Sequence, residues 1–106
     1  MSVQVYEIYD AKLPYRNCQD MRPVIIINVL SFDLITVALI SGAMDLYIGE
    51  FVHFFIDSEH IDFKRTGLKK KCYVAGNEIY TIKLEHLIRK RGCLSGGLLE
   101  HFQNWI

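Results

Sequence analysis

The sequence of 106 residues has few of the features that define several large protein classes. Its three cysteines are an odd number and include no CxxC pair, which argues against a disulfide framework and against a zinc site. It has two prolines, no stretch rich in Pro, Gly or Ser, and no repeated period, so neither a linker nor a solenoid is predicted. One domain spanning residues 1–106 is expected.

The sequence also lacks an excess of positive or negative charge. Lys+Arg and Asp+Glu number 12 each, so no global field draws the chain towards nucleic acid or an anionic membrane, and any nucleic-acid contact must be local. The N-terminus has no cationic segment followed by an apolar one, and Asn28, Asp33 and Asp45 interrupt the most hydrophobic stretch. We therefore expect a cytoplasmic protein without a membrane partner, and unpaired cysteines fit that reducing compartment.

What the sequence does contain is a series of short apolar runs rich in β-branched and aromatic residues, the pattern of successive strands. In the first run, Val3, Tyr9 and Leu13 fall on one side, and Tyr6 and Ile8 on the other. The predicted strands are residues 3–13, 23–30, 34–40, 50–56, 72–82 and 90–94. The second and third form a central hairpin, the fifth is bulged at Gly76, residues 57–66 are irregular, and residues 84–88 form a helical turn.

In the final segment the apolar residues recur at the spacing of a helix instead of that of a strand. Five apolar side chains lie on one stripe of a helix that begins after Ser95 as its N-cap: Leu98, Leu99, Phe102, Trp105 and Ile106. Gly96 and Gly97 weaken the first turn by up to about 1 kcal/mol each, so this helix must be stabilised by packing. The predicted fold is mainly β, a small, partly closed β-barrel with a C-terminal amphipathic helix.

Arg22 is the most informative single residue. It ends a polar loop immediately before Pro23 and the buried run at residues 24–27, where a rigid strand can hold its side chain in place. A guanidinium stays charged and presents a planar fork of donors that matches a phosphate, so an oxyanion partner is one interpretation. The alternative is an arginine that only pairs or snorkels at the surface.

The order of these elements, with several local motifs, resembles the MazF/PemK (Kid) family of bacterial toxins. The motifs that carry the resemblance are Tyr6-Glu7-Ile8-Tyr9, Arg22-Pro23-Val24-Ile25-Ile26, Thr36-Val37-Ala38-Leu39-Ile40-Ser41-Gly42, Tyr47-Ile48-Gly49-Glu50-Phe51, Thr66-Gly67-Leu68-Lys69-Lys70, Asn77-Glu78-Ile79-Tyr80-Thr81-Ile82 and Leu94-Ser95. No single motif is decisive. Their order and spacing along nearly the whole chain are specific.

The resemblance implies an SH3-like barrel of the CcdB/MazF type that dimerises and cuts single-stranded mRNA as an endoribonuclease, with no metal or other cofactor. It implies a cognate antitoxin as partner, within a type II toxin–antitoxin system. By position, Arg22 and Ser41 match the family's catalytic arginine and Thr/Ser. Attack of a ribose 2′-OH on its own phosphate needs alignment and charge stabilisation, which the arginine supplies. Ser41 is assigned to positioning, because an unactivated hydroxyl is a poor base, although a serine that merely ends a strand remains the alternative.

The chain also departs from the family pattern. Ala75, Asn77 and Tyr80 stand where relatives carry charged residues, which puts full activity in doubt. The candidate RNA contacts are Tyr15, Arg16, Asn17, Gln19, Gly42, Asn77, Glu78 and Tyr80. A phenol can stack on a splayed base and an amide can read a base edge. Equally, Tyr80 can pack on the barrel and Asn77 can cap a bulge.

The remaining polar residues are given structural roles. The four histidines lack a metal-ligand spacing, residues 57–62 read as a solvated turn, and Lys69-Lys70-Lys71 reads as edge protection with at most a secondary RNA contact. Cys18 has no evident base nearby and is expected to be a free thiol.

The alternative functions are a weakened or inactive barrel that binds RNA or an antitoxin, and a gyrase poison like CcdB. Exposed apolar residues near Leu39 and on the final helix are predicted to fit a homodimer interface.

Overall fold

The computed structural model describes residues 2–14, 21–42 and 53–106. These residues form six strands, two short 3₁₀ helices and one α-helix. The strands are β1 (Glu7–Ala11), β2 (Arg22–Val29), β3 (Leu34–Ser41), β4 (His53–Ile56), β5 (Cys72–Lys83) and β6 (Leu87–Cys93). The 3₁₀ helices span Phe63–Thr66 and Leu84–His86, and α1 spans Gly96–Trp105.

The strands form one antiparallel sheet in the order β4-β5-β3-β2-β1-β6. The central hairpin of β2 and β3 is confirmed, and its turn is closed by a hydrogen bond from the Leu30 amide to the Leu34 carbonyl at 2.9 Å. The bulge predicted near Gly76 is also present. Between the pairs Ile40–Val74 and Ala38–Ile79, β5 carries four residues that oppose a single residue of β3.

Both faces of the sheet are buried, which explains why the central strands are apolar at consecutive positions. Ile25 and Ile26 are both fully buried although neighbouring residues of a strand point to opposite faces. Ile25 belongs to a cluster that includes Leu98 and Phe102 of α1. Ile26 belongs to a second cluster built from β1, β2, β3 and β5 with adjacent leucines. The sheet is therefore a partly closed barrel with α1 over one face, as predicted.

The start of α1 differs from the expectation. Ser95 has the extended backbone of an N-cap, but its side chain makes no capping hydrogen bond. The cap is instead Asp62, whose carboxylate accepts a hydrogen bond from the Gly97 amide at 2.8 Å. Gly96 has φ +53°, and a Cβ there would overlap the Asp62 carboxylate. The two glycines that weaken the helix therefore make room for its distant cap.

Three other details correct the sequence interpretation. Residues 57–66, expected to be irregular, end in a 3₁₀ helix that buries Phe63 and Thr66. β6 begins at Leu87, because the helical turn before it ends at His86. Leu39 is 1% exposed and offers no surface for a partner. Within the described residues, none of the helices has the length and apolar character that a membrane crossing requires.

Candidate active site

Arg22 and Ser41 lie at adjacent ends of the two central strands. β2 begins at Arg22 and β3 ends at Ser41, and the antiparallel register pairs Val24 with Leu39. Continued for two residues, that register sets Arg22 opposite Ser41, and directly opposed residues have Cα atoms about 4.5–5.5 Å apart. By strand alternation both side chains lie on the face of Val24 and Leu39, which share one apolar cluster. The fold thus brings the two predicted catalytic residues together.

The Arg22 side chain carries an unusual polar atom. Arg22 is half-buried, and its Nε is buried without a hydrogen-bond partner in the part of the chain that the structure describes. An unsatisfied buried donor costs about 1–3 kcal/mol, and more for a charged group, so such atoms are rare in native structures and need an explanation. A guanidinium with a donor to spare at the end of a strand is suited to an oxyanion.

Ser41 and Gly42 line a cavity of about 210 Å³ at this end of the sheet. The rest of its lining consists of apolar residues and three cations: Pro23, Ile40, Leu68, Cys72, Lys69, Lys70 and Arg91. Lys70 lies across Gly42, with its Cε 3.8 Å from where a Cβ of residue 42 would be. None of these lining residues is acidic, so the surroundings of the Ser41–Gly42 turn favour an anion.

Arg91 is held in this cavity by two fixed contacts. Its Nε donates to Asp10 Oδ1 at 2.6 Å, and its Nη1 donates to the Gly67 carbonyl at 3.1 Å. Arg89 donates from Nε and Nη2 to the other carboxylate oxygen of Asp10, at 3.0 and 2.7 Å. Burial alone raises the pKa of Asp10, but hydrogen bonds from Arg91 and Arg89 outweigh it, and the net shift is downwards. The carboxylate therefore stays ionised between two guanidinium groups.

Cys72, also in the cavity lining, is not a nucleophile at neutral pH. Burial raises the pKa of its thiol to about 11, and the positive charge of Arg91 offsets this only in part. The thiol is consequently protonated, and a protonated thiol is neither nucleophile nor metal ligand. Cys18 lies outside the described residues.

Three of the predicted RNA contacts lie farther along the sheet. Asn77, which is exposed, and Glu78, half-buried, belong to the bulge of β5. Tyr80 pairs with Val37, four residues before Ser41, which is about 13 Å at 3.3 Å per residue. Its hydroxyl donates to Glu78 Oε1 at 3.3 Å, and its ring packs against the second apolar cluster. The fold does not bring Tyr80 to the Arg22–Ser41 pair, and a stacking role for it stays a prediction.

Four of the other predicted contacts belong to the segment that precedes Arg22 in the sequence. Tyr15, Arg16, Asn17 and Gln19 lie outside the described residues. Gly42, by contrast, follows Ser41 directly and faces Lys70.

The sequence interpretation missed the Asp10–Arg91 pair. Its signal was present, since Asp10 is an acidic residue in a strand whose neighbours Tyr9 and Ala11 are apolar and buried. A buried carboxylate needs a cation, and Arg91 falls in a predicted strand with Arg89 just before it. Nothing in the sequence alone paired the two strands.

A larger cavity, about 620 Å³, lies between β4 and α1. Its polar lining is three histidines and an aspartate, His53, His60, His101 and Asp57. Among the described residues, no group of three His, Cys, Asp or Glu side chains is arranged to hold a metal ion. The cavity has no lysine or arginine, so it is less suited to a phosphodiester than the one beside Ser41.

The whole fold is similar to the solved structures of a MazF toxin and of an antitoxin-bound endoribonuclease. The Mycobacterium tuberculosis toxin MazF-mt6 is 22% identical with a TM-score of 0.69, and the match covers 94% of this chain and 91% of that one. An endoribonuclease in complex with its cognate antitoxin, from a mycobacterial species, is 12% identical with a TM-score of 0.70, and the match covers 98% and 90%. Neither a protein-family model nor a curated protein matches the sequence. This chain therefore has the fold of the MazF toxins.

Proposed function

We propose that this protein is a MazF/PemK-type toxin of a type II toxin–antitoxin system, an endoribonuclease that cuts single-stranded mRNA in the cytoplasm. The observation that carries the proposal is the buried Nε of Arg22, which has no partner among the described residues and is set by the strand register opposite Ser41. The likeness of the whole fold to a MazF toxin and to an antitoxin-bound endoribonuclease supports the same assignment.

The proposed reaction is internal transesterification. The 2′-oxygen of one ribose attacks the adjacent phosphorus and the 5′-oxygen of the next nucleotide leaves, giving a 2′,3′-cyclic phosphate and a 5′-hydroxyl. The attacking group is already part of the substrate, so the protein has to align it and stabilise charge on the phosphorane oxygens. Arg22 stabilises that charge, and Ser41 positions the phosphate or the 2′-OH. No step in this scheme requires a metal ion or other cofactor.

Cleavage of a long unstructured RNA in EDTA tests this function. Arg22→Ala should lower the cleavage rate by about 10²–10³-fold, the usual effect of removing one donor that stabilises an oxyanion. Arg22→Lys keeps the charge but loses the planar fork, so it should retain part of the activity. Arg65→Ala is the matched control, because Arg65 is exposed on a 3₁₀ helix. Cleavage by Arg22→Ala at the wild-type rate would refute the assignment.

A binding-only barrel is the second candidate. Ala75 is 4% exposed and Tyr80 packs on the sheet, so neither position supplies the charge that relatives carry there. A protein of this kind would bind RNA or an antitoxin without cutting. Growth arrest on expression with intact mRNA, or with broken DNA as for a gyrase poison, would favour these alternatives over the nuclease.

The proposed partners are a cognate antitoxin and a second copy of the chain. An antitoxin of this class is expected to be a disordered segment that folds onto the toxin. Two exposed apolar side chains, Ile79 and Ile106, border a groove of about 280 Å³ beside Trp105. Light scattering of the purified protein tests the dimer.

A further inference from the structure

We propose that the cavity beside Ser41 is a phosphate-binding subsite that holds a second backbone phosphate of the RNA at the same end of the sheet as the one being cut, with Lys69, Lys70 and Arg91 as its cations. This inference rests on the proposed nuclease function and adds the residues that bind the substrate backbone. It assigns Asp10 as the residue that positions Arg91.

The size and lining of the cavity fit a phosphodiester. Its volume of about 210 Å³ is below the roughly 300–1,000 Å³ of sites that enclose a drug-sized ligand, so it suits a small charged group better than a whole nucleotide. Its walls are apolar residues with three cations and no acid. Because Ser41 and Gly42 form part of the wall, the cavity lies at the same end of β3 as the Arg22–Ser41 pair, although its strand residues Pro23, Ile40 and Cys72 belong to the opposite face of the sheet from those two side chains.

The local charge is positive although the chain is neutral overall. Arg89 and Arg91 share the single carboxylate of Asp10, which leaves one positive charge on that trio. Lys69 and Lys70 add two more within the cavity lining. A concave site with low-dielectric walls concentrates this field, so the cavity attracts a polyanion that the net charge would not.

Arg91 is pre-arranged, whereas Arg89 is not. The Arg91 side chain is 22% exposed and is fixed at Nε by Asp10 and at Nη1 by the Gly67 carbonyl. These bonds use two of the five N–H donors of a guanidinium. The Arg89 side chain is 64% exposed and does not line the cavity. A guanidinium held in place loses little conformational entropy when it binds a phosphate, which is why the Asp10 contact matters.

Two glycines allow this arrangement. Gly67 has φ +69°, and a Cβ there would overlap the backbone carbonyl of Arg91. A Cβ on Gly92 would likewise overlap the carbonyl of Arg65. The 3₁₀ helix can therefore lie directly on β6, which brings the Gly67 carbonyl within reach of Arg91.

Protection of a sheet edge is the alternative explanation for the lysine run, and the position of Lys71 distinguishes it from a phosphate subsite. Lys71 lines a different cavity, which contains Asp57 and Glu59 and which Lys70 also borders. Lys69 and Lys70 line the cavity with Ser41, Gly42 and Arg91, and Lys71 does not. Edge protection gives the three lysines the same role, whereas a phosphate subsite requires only Lys69 and Lys70.

The test measures binding of a fluorescein-labelled 2′-O-methyl RNA, which has no 2′-OH and cannot be cut, by anisotropy at several salt concentrations. Each phosphate contact in a single strand contributes about 0.7 to the slope of log affinity against log salt. Lys69→Gln/Lys70→Gln should therefore reduce the slope by about 1.4. Between 50 and 200 mM salt, the wild type should lose about sevenfold more affinity than this variant.

The control is Lys64→Gln/Lys83→Gln, which removes the same charge. Both residues are exposed; Lys64 lies on the first 3₁₀ helix and does not line the cavity, and Lys83 pairs with Leu34 at the opposite end of β3 from Ser41. The control and Lys71→Gln should each keep the wild-type slope. An equal slope for the cavity variant and the control overturns the inference. Equal reductions in all three variants, which would indicate a diffuse charge effect, also overturn it.

Cleavage of long RNA, measured in parallel, separates this inference from the nuclease. If the cavity variant has a reduced slope and the wild type cuts nothing, the phosphate subsite stands and the nuclease fails. If the wild type cuts RNA but the slopes are equal, the nuclease stands and the subsite fails. If both hold, the cavity variant should raise KM and leave kcat near the wild-type value, since it removes binding but not the chemistry.

Discussion

The Asp10 contact with two arginines gives the sharpest stability prediction. Asp10→Asn keeps the shape of the side chain and removes its charge. It leaves two guanidinium groups, one of them largely buried, without a counter-charge. Of the three hydrogen bonds, of 2.6, 2.7 and 3.0 Å, those to the oxygen that becomes an amide nitrogen are lost, because an NH2 group cannot accept, and the others lose their ionic component.

The magnitude follows from how far each partner is exposed. Breaking a buried ion pair by removing one partner costs about 3–5 kcal/mol. Because the Arg89 side chain is 64% exposed, its share is screened by solvent, and we expect the lower end, about 3 kcal/mol. For a chain of 106 residues this corresponds to a fall in Tm of about 12 °C.

Urea unfolding at neutral pH measures this loss, with Asp33→Asn as the matched control. Asp33 is exposed in the β2–β3 turn and accepts a hydrogen bond from the Ser31 hydroxyl, which an asparagine oxygen can still accept. The control should lie within about 0.5 kcal/mol of the wild type. Equal stabilities for the two variants would refute the claim that the Asp10 carboxylate holds the arginines.

The pH dependence provides an independent check. The pKa of Asp10 in the folded protein lies below its ordinary value of 3.8, so its stabilisation is complete at neutral pH. That stabilisation is lost as the pH falls through the lowered folded pKa. The difference in unfolding free energy between the wild type and Asp10→Asn should therefore shrink in acid. A difference that grows as the pH falls would contradict the assigned sign.

Three further predictions test the core, the helix cap and the buried thiol. Phe102→Ala should cost about 3–5 kcal/mol by urea unfolding, because the ring is fully buried in the cluster under α1, whereas Phe32→Ala, 90% exposed, should change little. Equal losses would contradict the described core. Asp62→Ala should lower the free energy of unfolding by about 1 kcal/mol because α1 loses its cap, and an unchanged value would show that Asp62 is not the cap. Cys72 should react with iodoacetamide at least about tenfold more slowly than Cys93, as read by peptide mass spectrometry; equal rates would contradict its burial and raised pKa.

Much of the fold could be predicted from local pattern. A β-branched run such as residues 24–27 has few alternatives to a buried strand, and the turn at Ser31 fixes the hairpin that follows. The alternation of Tyr9 and Ile8 also assigned these residues to opposite apolar clusters, as the structure confirms. These features depend on residues close together in the chain.

The features that were missed or wrong depend on residues far apart. Asp62 caps a helix that begins 34 residues later in the chain, and Arg91 reaches Asp10 across 81 residues. Ser95 is of a residue type that often caps helices. The carboxylate of Asp62 accepts the hydrogen bond from the Gly97 amide instead, and its negative charge is favourable at the N-terminus of a helix. A sequence gives no register between distant strands, so these contacts could not be derived from pattern.

The candidate site also combines features that could be predicted from the sequence with features that could not. Arg22 could be singled out because it immediately precedes a predicted buried strand, and Ser41 by its position in the family resemblance, and the observed register brings the two residues together. Tyr80 was predicted as a substrate contact or a packing residue; its ring packs against the second apolar cluster, and a substrate contact stays a prediction. The roles of all these residues in catalysis stay predictions.

The chemistry of the cut ends tests the central claim most directly. RNA incubated with the protein in EDTA should yield fragments with a 2′,3′-cyclic phosphate or 3′-phosphate on one side and a 5′-hydroxyl on the other. Those ends should disappear with Arg22→Ala and remain with Arg65→Ala. Fragments with a 5′-phosphate and a 3′-hydroxyl, or ends that persist in Arg22→Ala, would contradict a transesterification that depends on this arginine.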